Sequence, residues 1–400
     1  MPVKLQTNYS EFFPQLKTDL LYLDTAATAL KPQCVIDALT DFYSREYGTV
    51  HRAIYDLSSQ ATTRYQKSRE TIQKFLNAKK ASEIIFTKGT TEAINLIASS
   101  FGQAFITPGD EILITTLEHH SNIVPWQLMA QERQAKLTVV PIDDEGNLLN
   151  FEQYLTPRTK IVSLTALSNA IGVMPPLETL IPLIHSFGAK VFIDGAQLAP
   201  HHPVDLQTLD ADFFAFSGHK TYGPTGIGVL YGKEELLNML PPYQGGGDMI
   251  DTVSFEKTTF NTLPTKFEAG TPPIAEVIAL DTAIQLLQEI RLETIHDHVL
   301  SLTTLAHSLL TTIPNLNIIG PKQPQGPIIS FTIDGIHPLD LGTFLNVHHV
   351  ALRTGHLCAQ PLLNRLGHTS LARLSFGLYN TEEDVYRFID HLKQVIASLR

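Results

Sequence analysis

The feature that most constrains this chain is a regular alternation between short apolar, β-branched runs and stretches of helical period. The runs fall at residues 84–87, 112–115, 137–140, 161–166, 191–193, 213–216 and 227–231. Between most of them lie segments such as 92–100 and 177–187, where apolar residues recur at helical spacing. Strands alternating with helices predict a largely parallel sheet covered on both faces. Such sheets bind ligands at the carboxyl ends of their strands, so chemistry is expected in the loops that follow these runs.

The large domain is expected over residues 21–285, after a lead-in at 1–20 that packs with the small domain. A surface helix is expected at 62–77. A long amphipathic helix at 275–291 leads into a small α+β domain at 286–400. There the pattern predicts helices at 294–313 and 339–346 and strands at 328–333 and 350–353. Thr381-Glu382-Glu383-Asp384 has the form of a capping box and opens the last helix. A chain of 400 residues exceeds one simple core, which agrees with two domains.

Composition narrows the function classes. A net charge of -11 with no basic run argues against a nucleic-acid partner. No apolar run reaches 18 residues and the first ten residues lack a signal-peptide core, so no membrane segment or targeting signal is expected. The two cysteines, Cys34 and Cys358, form no disulfide framework or metal knuckle. The expected location is the cytoplasm.

Five stretches carry candidate chemistry. The apolar run at 213–216 is stopped by Ser217-Gly218-His219, and Lys220 follows at once. A lysine at the end of a buried strand is readily desolvated, which lowers its pKa and suits it to Schiff-base formation; the plainer reading is a surface lysine in a loop. Lys88-Gly89-Thr90-Thr91-Glu92 puts a glycine and two hydroxyls at a helix N-terminus, either a phosphate site or a capped helix start. In Glu118-His119-His120, an imidazole can stack on a flat ring or move protons. Adjacent histidines in extended chain point to opposite sides, so no metal is expected from the His-His pairs. Asp194 ends the run at 191–193, a costly place for a carboxylate without a cation, although it also suits a helix cap. Arg353-Thr354-Gly355-His356-Leu357-Cys358 places a cysteine beside cationic groups on a glycine-hinged loop, which suits a reactive thiol. Cys34, in a helix-like run, reads as an inert, semi-buried thiol. An anion turn, a stacking His, a strand-end Asp and a strand-end Lys together make up a pyridoxal-phosphate site.

The stretches Ser217-Gly218-His219-Lys220-Thr221-Tyr222-Gly223-Pro224, Asp194-Gly195-Ala196-Gln197, Glu118-His119-His120-Ser121-Asn122 and Arg353-Thr354-Gly355-His356-Leu357-Cys358-Ala359 resemble the pyridoxal-phosphate-dependent cysteine desulfurases. The likeness is greatest to the group II, Suf-type branch within class V of the fold-type I aminotransferases. It runs in order from Leu23-Asp24 to Asn380-Thr381. It implies an α/β fold with a large, mainly parallel seven-stranded sheet domain and a smaller C-terminal domain that carries the catalytic cysteine loop. Lys220 would hold the cofactor as a Schiff base and serve as acid and base at Cα. Asp194 would pair with the ring nitrogen, Gln197 with the ring oxygen, and His119 would stack on the ring. Thr90, Thr91, Ser217 and His219 would surround the phosphate, joined by Gly246 and Thr271 of a second subunit, which implies a homodimer. Asn169 and Arg373 would hold the substrate carboxylate, with His51 and Arg353 lining the site. Cys358 would take sulfur from L-cysteine, leaving L-alanine, and pass it to a SufE-like acceptor for Fe–S cluster assembly.

The chain departs from the common pattern at Leu357, where group II members usually have a second His, and at Ala53 and Tyr55, which replace Gly and His. Selenocysteine lyase, cystine C–S lyase and aminotransferase activities stand as alternatives within the family. A catalytically silent cofactor-binding scaffold is an alternative of another class. Cys358 argues against transamination, which needs no thiol.

Overall fold

The computed structural model describes residues 8–51 and 54–400. Ala53 and the first part of the lead-in lie outside the described residues. Seven strands form the main sheet: β1 (Ile84–Thr87), β2 (Glu111–Thr115), β3 (Lys136–Val140), β4 (Thr159–Thr165), β5 (Lys190–Asp194), β6 (Phe213–Ser217) and β7 (Gly228–Gly232). Their spatial order is β1-β7-β6-β5-β4-β2-β3, and all neighbours are parallel except β7, which runs antiparallel to both β1 and β6.

The period of two is visible in how side chains divide between faces. Phe214 and Phe216 enter one apolar core with Val191 and Ile193, whereas Phe213, Ala215 and Phe192 enter the core on the opposite face. Burial on both faces explains why these runs read as continuously apolar. Helix Asp56–Phe75 packs against helix Ile274–Ile290 on the first face, and helix Thr90–Phe105 packs against helix Val124–Arg133 on the second.

The second sheet is antiparallel and contains β8 (Leu316–Ile319), β9 (Ile328–Ile333), β10 (Arg353–Gly355) and β11 (Leu371–Ser375), in the order β8-β9-β11-β10. The single strand expected at 350–353 is two: Val350–Ala351 pairs in parallel with Leu21–Tyr22, and β10 pairs with β11. The physical reason is a change of partner, because the first piece meets the incoming N-terminal segment and the second meets a sheet neighbour. That N-terminal segment is fixed by Phe13, which is fully buried against Tyr379 with ring centroids 4.8 Å apart. The capping box forms as expected: Thr381 Oγ1 accepts from the Asp384 N–H, and Asp384 Oδ2 accepts from the Thr381 N–H.

One backbone approach positions the site. An ideal Cβ on Gly228, where β7 begins, would lie 2.4 Å from the Cα of Gly89, in the turn between β1 and the helix Thr90–Phe105. Only glycine lets β7 pass this turn. Gly228→Ala is expected to destabilise the protein by about 1–3 kcal/mol, the usual cost of overpacking. A lower denaturant midpoint with an unchanged slope checks this; an unchanged midpoint would show that the turn can yield.

Candidate functional site

β4, β5 and β6 end at one edge of the main sheet, and their last residues and following turns enclose a pocket of about 480 Å³. Asp194 is the last residue of β5, and Lys220 lies in the 3-10 turn Gly218–Lys220 that follows β6, its immediate parallel neighbour. Both side chains line the pocket. Burial pushes the Asp194 carboxyl above its usual range, opposed by its hydrogen bond from the Ala196 N–H at 3.0 Å and by Lys220. Burial also lowers Lys220 to about 8, with Asp194 opposing the shift. An amine titrating there presents its neutral, nucleophilic form at a much lower pH than a surface lysine does.

His119 faces these groups from the turn after β2. Its Nδ1 accepts from the Ser121 N–H at 3.0 Å, so the proton of the neutral ring sits on Nε2. Burial first, then Lys220, pushes its pKa down to about 3, and the ring stays neutral across the working range. Gln197 donates through Nε2 to the Ala26 carbonyl at 2.7 Å, which ties the N-terminal segment to the pocket wall.

The opposite end of the pocket is built from hydroxyls and a helix start. The helix Thr90–Phe105 begins at Gly89, which provides no side-chain cap. The Thr90 N–H donates to Ser217 Oγ at 2.9 Å, and the hydroxyls of Thr90 and Ser217 are 2.8 Å apart. Thr91 Oγ1 lies 2.8 Å from Ser121 Oγ. His219 is pushed down to about 4 by burial, with Lys220 and Lys31 adding to the shift. Uncapped N–H groups, hydroxyls and the helix dipole make an anion end. These residues fit pyridoxal phosphate. The uncapped helix start suits the phosphate, the buried carboxylate suits a protonated ring nitrogen, and the desolvated amine suits the aldehyde.

A third group comes from the second sheet. Arg353 and Arg373 lie directly opposite each other on β10 and β11 and share one carboxylate. Asp24 Oδ2 is 3.0 Å from Arg353 Nη2, and Asp24 Oδ1 is 3.0 Å from Arg373 Nη2. Arg373 is buried, donates through Nη1 to the Asn169 carbonyl at 2.8 Å, and its Nε has no partner among the described residues. Two guanidiniums and one carboxylate leave a net positive charge, which suits a carboxylate ligand. Asp24 is a site residue that motif reading missed. Its only signal was its place at the start of the family resemblance.

Cys358 is exposed and also lines the pocket. Its loop is strapped to the large domain: the Leu357 carbonyl accepts from Asn169 Nδ2 at 2.7 Å, and the Cys358 carbonyl accepts from the His120 N–H at 2.8 Å. Leu357 and Cys358 both have left-handed backbone, with φ of 55° and 54°. Leu357 is buried among Leu117, Ile142, Ile171 and Leu362, so the departure from histidine there supplies an apolar anchor.

Not every expected residue meets in this pocket. Thr271 lines a separate groove with Tyr65, Lys88 and Gly270, and Gly246 is absent from the pocket lining. His51 also lies outside it, because its N–H donates to Thr62 Oγ1 and its ring stands edge-on to Tyr65 at 5.7 Å. Tyr55 is exposed at the start of the helix Asp56–Phe75. Cys34 is exposed rather than semi-buried, because Val35 is the residue that this helix turns inward. Burial of the sulfur nonetheless pushes its thiol up.

Comparisons with known proteins agree with this geometry. The Aminotransferase class-V family model matches residues 21–388. A probable cysteine desulfurase of Mycobacterium leprae is 47% identical over 94% of this chain and 62% of its own length. One from Vibrio cholerae is 45% identical over 95% of this chain and 94% of its own. The crystal structure of the cysteine desulfurase CsdA from Escherichia coli superposes with a TM-score of 0.93 at 41% identity, covering 100% of both chains. The chain spans 57–62% of the length of several curated relatives that it matches, and 92–94% of others.

The amine's titration gives a testable consequence. With cofactor removed, the rate at which Lys220 captures added pyridoxal phosphate is expected to rise with pH and level off above about 8. Borohydride trapping at a series of pH values measures this; a midpoint near that of an ordinary lysine would mean that the amine is solvated. Asp24→Asn is expected to raise KM for an amino-acid substrate about tenfold or more while kcat changes less, because two guanidiniums lose their shared anion.

Proposed function

The chain belongs to the class V aminotransferase family, and from that premise we propose that it is a cysteine desulfurase that converts L-cysteine to L-alanine and carries the released sulfur as a persulfide on Cys358. One observation carries the reading: Lys220 and Cys358, from different sheets, line the same pocket. Several relatives at 45–47% identity are named as cysteine desulfurases, which supports it.

Pyridoxal phosphate, when bound, supplies a carbonyl carbon for amine attachment and an electron sink for negative charge at the substrate Cα. Thr90, Thr91, Ser217 and His219 would hold its phosphate, Asp194 would keep its ring nitrogen protonated, Gln197 would serve the ring oxygen and His119 would stack on the ring. Arg373 and Arg353, set by Asp24, hold the substrate carboxylate beside Asn169. Lys220 takes the Cα proton; with its pKa lowered to about 8 it offers a far larger neutral fraction near neutral pH than an ordinary lysine, and that fraction grows as pH rises. The Cys358 thiolate then attacks the substrate sulfur. The S–S bond forms as the Cβ–S bond breaks, the electron pair passes to the carbon skeleton, and a proton taken up at Cβ together with the proton that Lys220 returns to Cα completes L-alanine.

We read the large domain as residues 21–285 and the small one as 286–400, with the N-terminal segment packed on the latter. Gly246 and Thr271 lie away from this pocket, which supports a homodimer in which each subunit completes the phosphate end of the other. The exposure of Cys358 suits transfer to a SufE-like acceptor and onward to Fe–S cluster assembly. No helix among the described residues is long and apolar enough to cross a membrane, and the two free cysteines suit the cytoplasm. L-Selenocysteine is a second substrate that the same geometry admits.

Incubation with L-cysteine should yield alanine together with one added sulfur on Cys358 by mass spectrometry. Cys358→Ser should retain the bound cofactor yet lower alanine formation by at least about a hundredfold. Sulfur release at the wild-type rate by that variant would refute the persulfide route.

A further inference from the structure

The strap on the cysteine loop gathers a second set of side chains. His120, in the turn after β2, and His356 and Cys358, in the loop after β10, each place one nitrogen or sulfur within 4.8 Å of the other two. The His120 and His356 rings have centroids 5.6 Å apart and planes inclined by 31°. His120 grips the loop twice, through its N–H to the Cys358 carbonyl at 2.8 Å and through Nε2, which accepts from the Gln360 N–H at 3.0 Å. No metal is expected from His119-His120 by sequence alone, since adjacent residues in extended chain point to opposite sides. His119 lines the pocket, whereas His120, with its ring centroid 6.2 Å from that of His119, meets ligands from the other sheet.

We propose that His120, His356 and Cys358 form a site for a d¹⁰ cation of the Zn²⁺ or Cu⁺ class, and that its occupation blocks sulfur transfer. Two imidazoles and one thiolate suit such ions, whereas Mg²⁺ and Ca²⁺ require oxygen ligands. Metal–ligand bonds of about 2.0–2.3 Å in a tetrahedron need ligand atoms roughly 3.4–3.8 Å apart. The present spacing closes to that by side-chain rotation, because His356 and Cys358 are exposed and His120 is only partly covered. Two hydrogen bonds oppose the change: Gln360 N–H to His120 Nε2, and Cys358 N–H to His356 Nδ1 at 3.0 Å. Both lie at the exposed loop, where water can take over the freed N–H groups. Coordination to a thiolate and two imidazoles outweighs that loss. Three protein ligands leave a fourth position open at the pocket mouth for water or a thiol.

The binding site stands on geometry alone; its inhibitory effect rests on the reading of Cys358 as sulfur acceptor. The test is titration of Zn²⁺ alone into the cofactor-loaded protein against a chromophoric zinc chelator, with excess metal removed beforehand. One tight equivalent per chain is expected, and Cys358→Ser, His356→Ala and His120→Gln should each weaken it at least about tenfold. Cys34→Ser should leave it unchanged. His356 is an exposed loop residue, so its variant decides the question if His120→Gln fails to fold. Absence of a tight equivalent, or equal affinity in wild type and His356→Ala, overturns the proposal. Failure of the desulfurase reading would look different: no alanine from L-cysteine while the zinc affinity and its loss in the variants persist.

Discussion

The site depends on the burial of two opposite charges at the ends of adjacent strands. β5 and β6 must be apolar on both faces to sit inside the sheet, so their terminal residues meet little water. Asp194 and Lys220 are each pushed toward neutrality by that environment and each draws the other back toward charge. A cofactor with a basic ring nitrogen and an aldehyde answers both. The pocket's remaining walls follow from this placement. The helix start at Gly89 reaches the anion end because β1 lies beside β7, and Gly228 lets the two pass closely.

Much of the large domain was legible because its strands are buried on both sides and its helices amphipathic, so the two periods separate cleanly. Direction was not legible: nothing in the run at 227–231 distinguishes the antiparallel β7 from its parallel neighbours, since a period of two carries no polarity. The small domain was harder to read. β11 has the sequence Leu-Ala-Arg-Leu-Ser, and an arginine inside it masks a buried strand. The charge is tolerated because Asp24, which is distant in sequence, stands opposite it. A residue whose meaning is a pairing across the whole chain cannot be recognised from its neighbours.

The candidate site shows the same division. Lys220, Asp194, His119 and Cys358 could be picked out because each follows a strand or a glycine hinge, and the structure brings all four to one pocket. Asp24 and His120 could not, since both act by gripping groups from the other sheet. Leu357 looked like a loss, because a histidine is usual there. Its burial in an apolar cluster that joins the two sheets makes it the loop's anchor instead.

The backbone of that loop has an energetic consequence. Leu357 and Cys358 hold two consecutive left-handed conformations, each costing roughly 1–2 kcal/mol for a residue with a Cβ. The docked position therefore stores part of what its hydrogen bonds and apolar anchor supply, and undocking recovers it. The net hold on the loop is thus weaker than its contacts alone would suggest. On the proposed reading of Cys358 as sulfur acceptor, such a strained backbone suits a residue that must reach inward to take its cargo and outward to give it up.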